Sequence, residues 1–452
     1  MSEGNKVIWR LRARADKRFK AGHPWVYSNE LASSPKGITP GEPVELRDAH
    51  GNFMAFGYGN PHSLITFREL TRNQVESNAG SIEAVSKALV RAGGLRARLG
   101  LMPFSHRLCF GEADNLPGLI IDRYRLEHSQ VFVVQAHTAG SNRWMPDIEK
   151  ILCNYVDAAS SLYGDELRWN ETAVMTRNDL SVRKLEGLEE EKPILLKATD
   201  GIDMEGLEHI KIRIKPSCHE MYSGGQSEIW LFTNLASGQK TGFFLDQAAN
   251  IEMVMNKLIC SSWQAEHKSH TIKILDLCCY TGQWGARVGG MCRRFGLSTE
   301  ILAVDASSMA LNIAYKNVIA FGANCSVQRG DVLKDLYSLP DRAFDIVISD
   351  PPAFIKSGKD IHVGKHAYLQ LNTQVMRVVK AGGMVISSSC SSLFSEEDFL
   401  SVLGKAAYRN QRVVQWIGRG AQAPDHPILA GFQEGRYLKC WVGFAKCNNY
   451  DC

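Results

Sequence analysis

A chain of 452 residues with 44% hydrophobic and 22% charged residues is long enough for roughly two to four domains and too apolar to stay disordered. No run approaches the ~18 apolar residues of a membrane span, and the N-terminus has no apolar leader segment. The 12 cysteines are scattered without a C-x-x-C pair, which argues against a disulfide framework or a zinc site and for reduced thiols in a cytoplasmic setting. A net charge of +4 neither requires nor excludes nucleic acid, so the placement of charge carries more information than the total.

The first segment, 1–73, is basic. Arg12, Arg14, Lys17 and Arg18 belong to a cluster of cations between Lys6 and Lys20 that contains a single acid, Asp16. Short strand-like runs follow, Pro43–Leu46, Phe53–Tyr58 and Leu64–Glu69, separated by Gly and Pro, so a small β-rich module is expected. The cation cluster reads either as a phosphate-contacting patch or as a solvated face. The second segment, 74–203, opens on a helical pattern over Ile82–Leu95. It continues with strand, Pro/Gly turn and strand over Arg107–Asp122, strands at Val131–Gln135 and Ile194–Ala198, and a helix at Ile148–Ala158. This is a mixed α+β domain without a nucleotide motif.

In the third segment, 204–452, strands and helices alternate. Strands are expected at Ile272–Leu277, Ile301–Val304, Cys325–Arg329, Phe344–Ser349 and Gly383–Ser388, with helices at Trp284–Arg293, Met309–Phe321 and Leu369–Val379. That alternation predicts βαβ units and a mostly parallel, doubly wound α/β sheet. The run Ile346–Ser349 ends at Asp350, and Pro351 and Pro352 cannot continue a ladder, so the strand stops there. In an open α/β sheet the carboxyl ends of the strands form the ligand crevice.

Asp276, Asp305, Asp331 and Asp350 all fall at such ends. Each alone could be a turn carboxylate. Four together would repel one another unless a cation or a ligand with several donors sat among them. The turn Cys278–Cys279–Tyr280–Thr281–Gly282–Gln283–Trp284–Gly285 lacks the G-x-G-x-x-G of dinucleotide folds, which suits a nucleoside without a pyrophosphate and disfavours a dehydrogenase. Asp305 is placed to accept hydrogen bonds from ribose hydroxyls, and Asp331 to reach an adenine edge. Upstream, Lys240–Gln247 sets two aromatics and Asp246 before a helix, where Asp246 could simply be an N-cap. Cys390, beyond the end of the Gly383–Ser388 run, is either a small buried residue or an accessible thiol beside the Asp350 loop.

Taken together, these motifs resemble the S-adenosylmethionine-dependent ribosomal RNA methyltransferases that join a PUA domain, an EEHEAD domain and a class I methyltransferase domain and make 5-methylcytosine in large-subunit RNA. The resemblance runs through Gly22–Tyr27, Gly111–Asp114, Asp122–Tyr124, Val182–Gly187, Lys240–Gln247, Tyr280–Gly282, Asp350–Pro352, Ser389–Ser391 and His426–Pro427. It implies a PUA RNA-binding domain over 1–73, a central domain over 74–203 and a Rossmann-like methyltransferase domain over 204–452. It also implies S-adenosylmethionine held by Asp246, Asp276, Tyr280, Thr281, Gly282, Asp305, Asp331 and Asp350. The partner it implies is large-subunit ribosomal RNA or an assembly intermediate, with no membrane; a homodimer is compatible with it.

The chemistry needed at cytosine C5 explains the pairing of Cys390 with Asp350. C5 is a weak nucleophile, and a thiolate adding to C6 turns it into an enamine-type carbon able to attack a methyl sulfonium. Asp350 would then serve as acid or hydrogen-bond partner at N3. Many 5-methylcytosine enzymes carry a second cysteine directly after the proline of this motif, whereas here Ala353 follows Pro352. Two other readings stay open. An exocyclic-amine methyltransferase would use the Asp-Pro-Pro loop with an aromatic directly after it, but Phe354 comes one place late. A non-catalytic RNA-binding or assembly factor would leave the acids and Cys390 idle.

Overall fold

In this computed structural model, which describes residues 7–217, 220, 228–259 and 270–447, apolar periodicity and chain topology agree over most of the sheet strands. The chain divides into two units. The first gathers residues up to Lys215 with Asn234–Leu245 and Pro424–Gly435, and the second Pro216–Thr233, Asp246–Ala423 and the chain from Arg436 on.

The first unit holds two five-stranded sheets. The N-terminal one is built from β1 (Val7–Arg10), β2 (Trp25–Tyr27), β3 (Glu42–Arg47), β4 (Phe53–Gly59) and β5 (Ile65–Thr71), in the order β1-β3-β4-β5-β2. Its core is Trp9, Phe19, Val26, Val44, Leu46 and Phe67. This is the small β-rich module expected at the N-terminus, with β1 and β2 added to the foreseen strands. The second sheet comprises β6 (His106–Phe110), β7 (Leu119–Arg125), β8 (Gln130–Ala136), β9 (Thr172–Thr176) and β10 (Ile194–Lys197), ordered β10-β9-β8-β7-β6. The helices Ile82–Arg98 and Ile148–Tyr163 cover it through Leu89, Leu152 and Tyr155.

Buried ion pairs tie the two sheets together. Arg68 of β5 bridges Glu112 at 3.0 Å and Glu186 at 2.9 Å, and Trp25 Nε1 donates to Glu112 at 2.7 Å. Such groups are costly to bury unless they are paired, and here Glu112 is shared between cation and indole, while Glu186 also accepts from Asn60 at 2.9 Å. Arg107 likewise holds Asp122, which also accepts the Thr241 hydroxyl, and Thr241 meets the Tyr124 hydroxyl at 2.9 Å. Several residues of the recognised motifs thus act as internal struts of this unit.

β11 (Ile210–Ile214) and β12 (Ile229–Thr233) lead to the second unit, whose seven-stranded sheet contains β13 (Ile272–Leu277), β14 (Thr299–Asp305), β15 (Asn324–Arg329), β16 (Phe344–Ser349), β17 (Val379–Ser389), β18 (Arg412–Gly420) and β19 (Lys439–Cys447). The order is β15-β14-β13-β16-β17-β19-β18. β15 through β17 run parallel, and β19 is antiparallel to both neighbours. β16 is buried at every position, as a parallel strand covered on both faces must be. β15, at the edge, is short and largely exposed. Strand order reverses between β13 and β16, and a doubly wound sheet opens its ligand crevice at that switch point.

The expected parallel strands and crossover helices are present, with β17 beginning four residues before the foreseen run. The antiparallel pair β18–β19 was not foreseen; along β18 exposed positions alternate with half-buried ones, so no apolar run marks the strand. No helix among the described residues is long and apolar enough to cross a membrane.

Candidate active site

The site is assembled at the carboxyl edge of the seven-stranded sheet, from the turns that follow β13, β14, β16 and β17. The turn after β13 bends sharply, with positive φ at Cys278, Tyr280 and Gly282. Non-glycine residues adopt that conformation rarely, and such strain concentrates at functional sites. Gly282 precedes the helix Gln283–Arg294, and a Cβ there would come within 2.8 Å of the Ala314 Cα. Gly285, in the first turn of that helix, donates its N–H to Asp276 Oδ2 at 3.0 Å. A Cβ on Gly285 would sit 3.1 Å from that oxygen, so the close approach needs glycine.

Three of the four strand-end carboxylates meet around this turn. Asp276 is buried, and burial, reinforced by Asp350 and Asp305, pushes its carboxyl up to about 8. Asp305 accepts from the Tyr280 N–H and the Ser307 N–H, both at 2.9 Å, so it pins the strained turn to β14. A carboxylate offers about four lone-pair sites, which leaves acceptor capacity for ribose hydroxyls. Asp350 accepts from Gln247 Nε2 at 2.8 Å and from Trp284 Nε1 at 3.1 Å, and Asn250 in turn donates to Gln247 at 2.7 Å. Asp331 stands apart. Its side chain is 46% exposed, accepts from the Leu333 N–H at 2.9 Å and pairs with Lys334 at 3.2 Å. Those contacts hold its carboxyl below the usual range, with the Leu333 N–H the largest cause.

Asp246 lies in the 3₁₀ turn Leu245–Gln247 ahead of the helix Ala248–Ile259, buried, with its Oδ2 accepting the Tyr437 hydroxyl at 2.5 Å. Thr281 is buried too. Its Oγ1 and Asp276 Oδ1 have no hydrogen-bond partner among the described residues. A buried polar atom without a partner costs free energy, and two of them flanking one strained turn fit a bound ligand bearing donors and acceptors. S-adenosylmethionine, a cation with ribose hydroxyls and an adenine edge, meets that donor and acceptor set.

Cys390 follows β17 directly and is half-buried. Its Sγ lies 3.7 Å from the Pro351 carbonyl, so the thiol and the Asp350 loop adjoin. Both turns are seated on an aromatic cluster: Tyr368 packs against Phe354 at 4.8 Å and Phe394 at 5.0 Å, and its hydroxyl meets Ser391 Oγ at 3.0 Å. Ser391 Oγ also accepts the Ile355 N–H at 3.1 Å. Cys278 and Cys279 lie in the β13 turn instead, where burial and the surrounding aspartates push both thiols well above their ordinary value.

In the N-terminal sheet, Arg12, Arg14 and Lys17 are exposed, although Arg12 Nε donates to the Leu31 carbonyl at 2.7 Å. Arg18 is half-buried, bridges Glu30 at 2.9 Å and lies 4.4 Å over the Tyr27 ring. Sequence reasoning did not assign Gln247, Trp284 or Tyr437. Gln247 closes the Lys240–Gln247 run and Trp284 stands in the Cys278–Gly285 turn, and their polar groups beside a carboxylate-ended strand were a usable cue. Tyr437 reaches Asp246 across 191 positions, and nothing local marks it.

Residues 10–72 match a PUA-like domain model, and residues 274–383 match a methyltransferase domain model. A solved structure from Streptococcus mutans, named as a SAM-dependent methyltransferase, covers 97% of this chain and is itself covered fully, with a TM-score of 0.68 at 16% identity. A methyltransferase structure complexed with SAH also reaches a TM-score of 0.68, at 17% identity, covering 97% of this chain and 99% of its own. At that identity both show the fold alone. Curated relatives named ribosomal RNA large subunit methyltransferase I include one from Erwinia tasmaniensis, 31% identical over 95% of this chain and 96% of its own. Another, from Klebsiella pneumoniae, is 30% identical over 95% of each chain. With the fold, the aspartate-lined crevice and this full-length similarity in agreement, the chain belongs to the ribosomal RNA large subunit methyltransferase I family.

Proposed function

We propose that this protein methylates C5 of a cytosine in large-subunit ribosomal RNA, using S-adenosylmethionine and a transient bond from Cys390 to C6. The relatives' names supply the substrate class. The observation that carries the chemistry is the 3.7 Å approach of Cys390 Sγ to the Pro351 carbonyl, which puts a half-buried thiol against the Asp350 loop.

When bound, S-adenosylmethionine supplies an electrophilic methyl group. On the donor side, Asp305 is assigned to the ribose hydroxyls and Asp331 to the adenine edge. Asp276, Tyr280, Thr281, Gly282 and Asp246 shape the rest of that pocket. On the base side, the Cys390 thiolate adds to C6 and the C5–C6 electron pair moves onto C5, while Asp350 in its protonated form donates to N3 and disperses charge on the ring. Gln247 and Trp284 hold the Asp350 carboxylate in place for this. As C5 takes the methyl group the neutral thioether of the donor leaves; the C5 proton then passes to Asp350 or water, the C5–C6 double bond re-forms and the thiolate is expelled from C6. The cytosine must be unpaired or flipped out for the thiol to reach it. The segment 1–73 is assigned to RNA binding through Arg12, Arg14 and Lys17, with 74–203 as a central domain and 204–452 as the methyltransferase domain.

The test offers RNA containing 5-fluorocytidine together with the methyl donor. Fluorine cannot leave as a cation, so elimination stalls and a covalent protein–RNA adduct accumulates. Cys390→Ser should give none. With ordinary RNA and labelled donor, nucleoside digestion should yield 5-methylcytidine. A product methylated on the exocyclic amine, without an adduct, would replace this reading with the amine-methylating one.

A further inference from the structure

Lys439 has no task in the chemistry above, yet its placement is unusual. It opens β19, and the β17–β19 ladder sets it opposite Ser389, the residue before Cys390. It is only 7% exposed. Its Nζ donates to the Ser391 carbonyl at 2.6 Å and to the Phe394 carbonyl at 2.8 Å, clamping the turn that begins at Cys390. An ammonium offers three donors, and both acceptors here are neutral.

A buried charge is costly unless an opposite charge compensates it. Among the described residues no carboxylate forms an ion pair with Lys439. Glu396, the acid within its electrostatic reach, is bridged by Arg419 and by Arg436 at 3.2 Å. Arg436 also acts on Lys439, as a like charge that disfavours the ammonium, and the group that favours it besides Glu396 is the Cys390 thiol. Tyr368, from the helix Ile361–Val378, is a phenol that burial pushes up to about 12, so it is neutral. Asp350 precedes the Pro351 carbonyl that the sulfur approaches, and it is held by Gln247 and Trp284.

We propose that Lys439 is the positioning residue for Cys390, its buried ammonium serving as counter-charge to the thiolate while its two carbonyl contacts aim the sulfur at the base. This deepens the covalent reading and rests on it. The thiol proton leaves to solvent, since Cys390 is half-buried and Lys439 already carries its own proton at neutral pH. Burial pulls the Lys439 ammonium down to about 8, which sets an alkaline limit on the arrangement: above that pH the counter-charge is lost.

The test reads the thiol directly, by the pH dependence of Cys390 alkylation with iodoacetamide followed by mass spectrometry of its peptide. In the wild type the midpoint should fall below the ~8.5 of a free cysteine. In Lys439→Met it should rise by about one unit or more, a roughly tenfold loss of thiolate near pH 7. Methyl transfer should fall in parallel while S-adenosylmethionine affinity stays unchanged. An unshifted midpoint in folded Lys439→Met overturns the proposal. Should that variant fail to fold, the wild-type profile decides alone, a midpoint at or above ~8.5 being fatal. The two readings fail separately. If Cys390→Ser still methylates C5 while the midpoint depends on Lys439, the covalent mechanism falls and the pairing stands. If Cys390→Ser is dead while the midpoint ignores Lys439, the nucleophile stands and the pairing falls.

Discussion

Two turns on the same sheet edge carry cysteines in opposite electrostatic settings. The turn after β13 holds Cys278 and Cys279 among Asp276, Asp305 and Asp350, and those thiols are driven far from ionisation. The turn after β17 holds Cys390 next to the buried Lys439 ammonium. An anionic pocket favours a cationic ligand with hydroxyl donors, and a cationic one favours an anion on sulfur. Under the proposed mechanism, the strand order that separates the two turns by β16 would let one crevice hold a sulfonium at one end and form a nucleophile at the other.

The sharpest way to break this contrast is to exchange the cysteines' fates. Cys390→Ser should lower single-turnover methyl transfer by more than ~1,000-fold, because an alkoxide is not available near neutral pH. Cys279→Ser should stay within about threefold of wild type, since a buried, protonated thiol contributes packing alone. Equal losses in both variants would erase the distinction. Next in size, Asp305→Ala removes a charged acceptor and should weaken S-adenosylmethionine by ~10- to 100-fold, hydrogen bonds to charged groups being worth roughly 1.5–3 kcal/mol. Calorimetry on a folded variant with unchanged affinity would exclude that role.

Asp276 sharpens the comparison through stability. Its folded value of about 8 lies above the ~3.9 of an unfolded aspartate, so the stability it contributes is full below about pH 4 and is lost as pH rises toward 8. Asp276→Asn abolishes that loss, since an amide oxygen can still accept from Gly285. The melting temperature of the variant relative to wild type should therefore climb between pH 4 and pH 8, by ~2–4 °C for each kcal/mol recovered. Donor affinity should drop at the same time. A pH-independent difference would show that Asp276 is not protonated in the folded state. The smallest effect is expected far from the crevice. Arg14→Gln with Lys17→Gln should flatten the salt dependence of RNA binding, the log–log slope falling by roughly 0.7–0.9 for every phosphate no longer neutralised, with donor binding untouched. Arg12 and Arg18 are unsuitable for this test, because the Leu31 carbonyl and Glu30 hold them.

Much of this was legible along the chain because strands and their ends are local. An apolar run such as Ile346–Ile348 stops at Asp350 when two prolines follow, whatever surrounds it, and the same logic located Asp276, Asp305 and Cys390 at turns. What the chain could not disclose is which turns meet. β19 inserts antiparallel beside β17 and carries Lys439 to Cys390, and Tyr437, two residues earlier, meets Asp246. Gln247 crosses to Asp350, Thr241 bonds Asp122, and Arg18 folds back onto Glu30. Sequence determined the parallel strands of the second unit's sheet, their carboxylate ends and the thiol, because period, proline and burial act within a few residues. Tertiary structure alone decided the charge around each of them, because ladder register and side-chain reach bring together groups that no local pattern relates.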